Sequence, residues 1–110
     1  MNTKTLEQYQ KEVAELVKQF NFNWSVYLQY IHLVEEMGEL GEAITVKEGD
    51  RQVGSGEKAQ ADHGDIEEEL GDVLFTLMEL ANKYNISLSK VMEDAFKRNR
   101  VKLQKIKNLL

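Results

Sequence analysis

A chain of 110 residues builds one domain with a modest core, which association with further copies can extend. Proline and cysteine are both absent, which rules out disulfides, thiolate metal sites and a thiol nucleophile. Leu, Glu, Lys, Ala, Gln and Met dominate, so the expected class is all-α. The formal net charge of −5 argues against nucleic acid as a partner. It is compatible with a nucleotide arriving with Mg²⁺, because the ion supplies the local positive charge.

The first helix is predicted from about Thr3 to Phe20, since Leu6, Tyr9, Val13, Leu16, Val17 and Phe20 recur at steps of three and four. Asn21-Phe22-Asn23-Trp24 interrupts that stripe with two turn-prone asparagines. Ser25 is the expected N-cap of a second helix reaching about Val46. Its main apolar line is Val26, Tyr30, Leu33, Met37, Leu40 and Ile44, with Leu28 and Ile31 on a second flank. The pattern then stops from Lys47 to Gly64, a glycine-rich stretch expected to be a mobile loop.

Asp65, with Glu68 three residues on, resembles a capping box and opens a third helix predicted to reach Tyr84. Asn85-Ile86-Ser87 reads as a turn ending in a cap, and a fourth helix begins near Leu88. From Ala95 onward the chain has no acidic residue, while Lys97, Arg98, Arg100, Lys102, Lys105 and Lys107 are six of its fourteen basic ones. These residues complement a helix C-terminus or, alternatively, reach substrate phosphates. The start at Met1-Asn2-Thr3 carries no apolar leader, and no apolar run of membrane-spanning length occurs, so a cytoplasmic protein without a membrane partner is expected.

Two acidic stretches stand out, Glu35-Glu36-Met37-Gly38-Glu39 and Glu67-Glu68-Glu69-Leu70-Gly71-Asp72. Each places carboxylates three apart on a helix, one turn from each other on one face. At about 100° per residue, Glu36 and Glu69 border the apolar stripes of their helices. Glu39 and Asp72 stand behind them, with Glu35 and Glu68 further out. Lys and Arg are absent from Gln29 to Val46 and from Ala59 to Asn82, whereas a salt-bridged surface face interleaves signs. Carboxylates without cationic neighbours suit a hard, oxygen-liganded cation such as Mg²⁺ or Mn²⁺.

At these residues the chain resembles the MazG-like nucleoside triphosphate pyrophosphohydrolases of the all-α NTP pyrophosphatase superfamily. Their pattern of Glu-x-x-Glu, a spacer and Glu-x-x-Asp reads here as Glu36-Met37-Gly38-Glu39 and Glu69-Leu70-Gly71-Asp72. The flanks Leu40-Gly41-Glu42-Ala43 and Asp72-Val73-Leu74-Phe75 are similar too. A four-helix core is expected, and because a single bundle would leave the flank of Leu28 and Ile31 and the off-stripe Phe75 exposed, a homodimer or homotetramer is expected to complete it. The resemblance implies Mg²⁺ held by Glu36, Glu39, Glu69 and Asp72, and hydrolysis of an NTP or dNTP to monophosphate and pyrophosphate. Glu35 and Glu36 are the candidate general bases. Lys97 and Asn99 are the nearest matches to the family's phosphate contacts, and Trp24 is a candidate to stack on the base. Phosphoribosyl-ATP pyrophosphohydrolase shares the acidic motifs and is an alternative. A catalytically silent helical module, its acids bound to a basic partner, is the non-enzymatic one.

Overall fold

Each of the four helices begins on a side-chain cap that accepts hydrogen bonds from backbone N–H groups the helix itself leaves unpaired. In the computed structural model, which describes residues 3–50 and 65–110, α1 spans Leu6–Gln19, α2 Val26–Lys47, α3 Ile66–Lys83 and α4 Leu88–Leu109. Thr5 and Gln8 form a reciprocal capping box at the start of α1. Ser25 Oγ accepts from Leu28 N at 3.1 Å. Asp65 Oδ1 accepts from Glu67 N and Glu68 N at 3.0 and 3.3 Å, and Ser87 caps α4.

The asparagines expected at turns close two of the helices. Asn21 and Asn85 adopt left-handed backbone angles, with φ of 56° and 55°. In each case the next residue donates back into the helix: Phe22 N to Val17 O at 3.1 Å, and Ile86 N to Ala81 O at 3.0 Å. These are Schellman closures, in which asparagine tolerates a conformation that other side chains resist. The first sends Phe22 and Trp24 back over the bundle.

The main packing is α2 on α3, with α1 laid on α3 and α4 joined mainly to α1. Glu36 on α2 faces Asp72 on α3, whereas His32 and Gln29, earlier in α2, face Glu79, later in α3. The two helices therefore run antiparallel. Val13, Ala43, Met78 and Ala81 are the buried apolar residues among those described.

One polar knot holds α1 against the α3–α4 turn. The buried Gln10 donates from Nε2 to Asn82 Oδ1 and Ile86 O, and its Oε1 accepts from Leu88 N at 2.8 Å. Asn82 Nδ2 donates in return to Gln10 O at 3.0 Å. Gln10→Leu strands the part-buried Asn82 Oδ1, Ile86 O and Leu88 N, which costs about 2 kcal/mol. Urea unfolding is expected to show a lower midpoint at unchanged slope.

The stretch predicted as a mobile loop falls largely on residues 51–64, outside the described residues. Among the described residues, no helix is long and apolar enough to cross a membrane.

Candidate active site

The antiparallel packing of α2 on α3 brings the two acidic stretches together. Glu36, Glu69 and Asp72 each offer a carboxylate oxygen, and these atoms all lie within 4.8 Å of one another. Glu69 is 4% exposed, Glu36 is largely buried and Asp72 is exposed. The helical-wheel expectation that Glu36 and Glu69 face the packing seam therefore agrees with the observed burial. Glu39 is half-buried one turn beyond Glu36 and close enough to interact with its carboxyl.

The crowding leaves an electrostatic signature. The Glu36 carboxyl is pushed up from 4.5 to about 7, first by burial, then by a hydrogen bond and charge repulsion from Glu39, with Asp72 adding to the rise. His32 works in the opposite direction: its Nε2 lies 3.4 Å from Glu36 Oε1 and its Nδ1 3.6 Å from Glu35 Oε1. Glu36 Oε2 is buried without a hydrogen-bond partner, a costly state for a carboxylate. A buried, uncompensated oxygen in an all-carboxylate cluster fits a hard divalent cation, which takes oxygen ligands. Here Glu36, Glu69 and Asp72 are the residues placed to hold it, with Glu39 beside them.

A cavity of about 320 Å³ opens beside Glu36 and Asp72. Phe22, Trp24 and Phe75 supply its aromatic surface, and His32, Thr76 and Glu79 add polar groups. Trp24 meets the His32 ring edge-on at 5.1 Å. Thr76 is buried, and its Oγ1 donates to Asp72 O at 2.6 Å, fixing the turn that carries Asp72.

The predicted site residues divide into two groups. Glu36, Glu69 and Asp72 converge, with Glu39 and Glu35 flanking them and Trp24 on the adjoining cavity. Lys97 and Asn99 lie on α4, where Lys97 Nζ is 3.3 Å from Glu93 Oε1 and Asn99 Nδ2 donates to Ala95 O at 2.8 Å. Neither lines the acidic cavity.

Sequence reasoning misses Thr76 and Glu79, although Asp72, Thr76 and Glu79 follow the spacing of one helix face. Phe22 has no such signal, because its place depends on the closure at Asn21.

Comparison with known proteins agrees with this arrangement. The model of the MazG nucleotide pyrophosphohydrolase domain matches residues 25–107. YpjD of Bacillus subtilis strain 168 is 37% identical over 91 residues, covering 82% of this chain and 78% of YpjD. The crystal structure of Bacillus subtilis YpjD superposes with a TM-score of 0.73 at 32% identity, covering 89% of this chain and 97% of that one. A Bacillus-conserved MazG protein, itself a nucleotide pyrophosphohydrolase, gives 0.72 at 33% identity, with 89% and 92% covered. iMazG from Vibrio DAT 722 gives 0.59 at 31%, with 90% and 97% covered. With its paired acidic motifs joined at one seam of an all-α fold, the chain belongs to the MazG nucleotide pyrophosphohydrolase family.

Proposed function

We propose that the chain hydrolyses a nucleoside or deoxynucleoside triphosphate to the monophosphate and pyrophosphate, with Mg²⁺ as its cofactor and Mn²⁺ as a substitute. The observation that carries this reading is the convergence of Glu36, Glu69 and Asp72 at the mouth of an aromatic-walled cavity. Bound there, the cation supplies charge neutralisation for the phosphates and acidifies a water.

The protein's own residues do the rest. Glu69 and Asp72 sit on one turn of α3, and Glu36 faces them from α2, so the ligand set is positioned by helix packing rather than by a loop. Either Glu35 or Glu36 accepts the proton of the attacking water, and the His32 ring lies against both. The attack breaks the bond between the α- and β-phosphates, a reaction that needs chiefly alignment and charge compensation. Trp24 offers a face for the base. Lys97 and Asn99 reach the phosphates of this site only if α4 of a second copy brings them there. Pyrophosphate release from a panel of NTPs and dNTPs, with and without Mg²⁺, tests the reading. Activity on none of them overturns it.

This reading includes a homodimer or homotetramer in the cytoplasm, acting on free nucleotides rather than on nucleic acid or membranes. The support is the apolar surface a single chain leaves in water. Tyr27 is 84% exposed, and Leu28, Tyr30, Ile31 and Val34 of α2 are exposed with it. No residue of α4 is buried. The radius of gyration is 17.5 Å, against about 13 Å for a compact single chain of this length. Sedimentation is expected to give a mass of two or four chains, and Ile31→Asp to shift it towards one. A wild-type mass of one chain overturns this part.

A further inference from the structure

The cavity beside the acidic cluster does not end at Thr76. A second recess of about 170 Å³ shares Val17, Phe22, Trp24 and Glu79 with it and continues to Gln29 and Asn82. Glu79 therefore stands where the two spaces join. It lies seven residues, or two turns, beyond Asp72 on the same side of α3, about 10.5 Å along the axis. That is the reach of a nucleoside from its 5′ phosphate to the far edge of its base. The wall between these two carboxylates is mainly aromatic and aliphatic, with Thr76 and His32 as its polar groups, and its flat ring faces suit any base and distinguish none.

Beyond the acidic cluster, Glu79 is the carboxylate that lines the joined spaces, set beside the polar side chains of His32, Thr76, Gln29, Asn82 and Lys83. Its carboxyl is half-buried, and burial pushes its pKa up, while His32, Gln29 and Lys83 each favour the charged form. Gln29 is buried beside it, near enough to favour that charge, yet its Nε2 completes no well-formed hydrogen bond. A carboxylate here accepts a hydrogen bond from an exocyclic amino group, such as N4 of cytosine or N6 of adenine. Uracil, thymine and hypoxanthine present a carbonyl oxygen at the same ring position, so two acceptors would face each other. A partly desolvated acceptor left unpaired is costly, which is how a polar pocket rejects the wrong substrate.

We infer that Glu79 is the specificity-determining residue of the cavity, selecting nucleotides whose base carries an amino group at pyrimidine position 4 or purine position 6. The inference rests on the nucleotide hydrolysis proposed above. Its test is kcat/KM for CTP, UTP, ATP and ITP, and for dCTP and dTTP, with wild type and Glu79→Gln. The wild type is expected to favour CTP over UTP and ATP over ITP by about tenfold or more. In Glu79→Gln, whose amide can present either a donor or an acceptor, both ratios are expected to fall to within about threefold. The change should lie mainly in UTP and ITP, and in KM more than in kcat. A uniform loss on all substrates at unchanged ratios assigns Glu79 a merely structural role and overturns the inference. So does a wild type that treats CTP and UTP alike, a result that needs no variant. A wild type inactive on every nucleotide defeats the hydrolysis itself, and is thereby distinguishable from a failure of base selection alone.

Discussion

Glu69→Gln is expected to lower pyrophosphate release by about a hundredfold or more, the scale on which a group stabilising transition-state charge acts. The replacement keeps the shape of a side chain that is 4% exposed, so the helix seam stays filled. What it removes is one carboxyl group of the three that converge within 4.8 Å. Affinity for Mg²⁺, measured by calorimetry without substrate, is expected to fall in parallel. Glu68→Gln is the matched control. Glu68 is exposed in the first turn of α3, one residue away and about 100° round the helix. Its loss is expected to change activity by no more than about twofold, as for an exposed charge. Equal activity in wild type and Glu69→Gln would remove the cluster from the mechanism.

Glu36→Gln is expected to make the metal-free protein more stable, and the gain depends on pH. The folded state raises the Glu36 carboxyl from 4.5 to about 7, so it binds the proton more tightly than the unfolded chain does. That contribution to stability is complete below about pH 4.5 and is lost as pH rises through about 7. The amide that replaces the carboxyl does not titrate, so the variant should match wild type most closely at low pH and exceed it at pH 8. A gain on the order of 2 kcal/mol corresponds to a Tm increase of roughly 10 °C in a domain of this size. Thermal melts in a chelator at pH 4.5, 7 and 8 measure it. Saturating Mg²⁺ should reverse the order at pH 8, because an ion bound only by the folded state stabilises wild type. A pH-independent difference between the two proteins would show that the titration of Glu36, raised by burial and by its carboxylate neighbours, is not its cause.

Together these two expectations describe a site whose folding and function pull against each other. Carboxylates at a packing seam raise the free energy of the empty protein, and the same concentration of charge is what attracts a divalent cation. Relatives in Bacillus and Vibrio share the fold at 31–33% identity.

Much of this was legible in the sequence because it depends on local rules. Helix spans follow from periodicity and from caps at Ser25, Asp65 and Ser87, and Asn21 and Asn85 mark the closures. The ranking of Glu36 and Glu69 above Glu35 and Glu68 needed only the angle per residue. The first helix, expected from about Thr3, begins instead at Leu6, because the capping box of Thr5 and Gln8 sets its start.

Other features depend on where distant segments meet. Gln10 falls by spacing at the edge of the apolar stripe beside Leu6, Val13 and Val17, but what its buried amide does there is decided by Asn82, Ile86 and Leu88, which converge on it from the α3–α4 turn. His32 gains its role from Trp24 on one side and the carboxylates of Glu35 and Glu36 on the other. Glu79 becomes a candidate base reader because the antiparallel register of α2 on α3 sets it beside His32 and Gln29. The sequence by itself determined the four helices, the caps that open three of them and which acids lie nearest the apolar faces, since each follows from interactions within about a turn. Only the tertiary structure decided that three of those acids share one point and that an aromatic cavity leads away from it. Register between helices is set by packing of side chains far apart in the chain, and no local spacing encodes it.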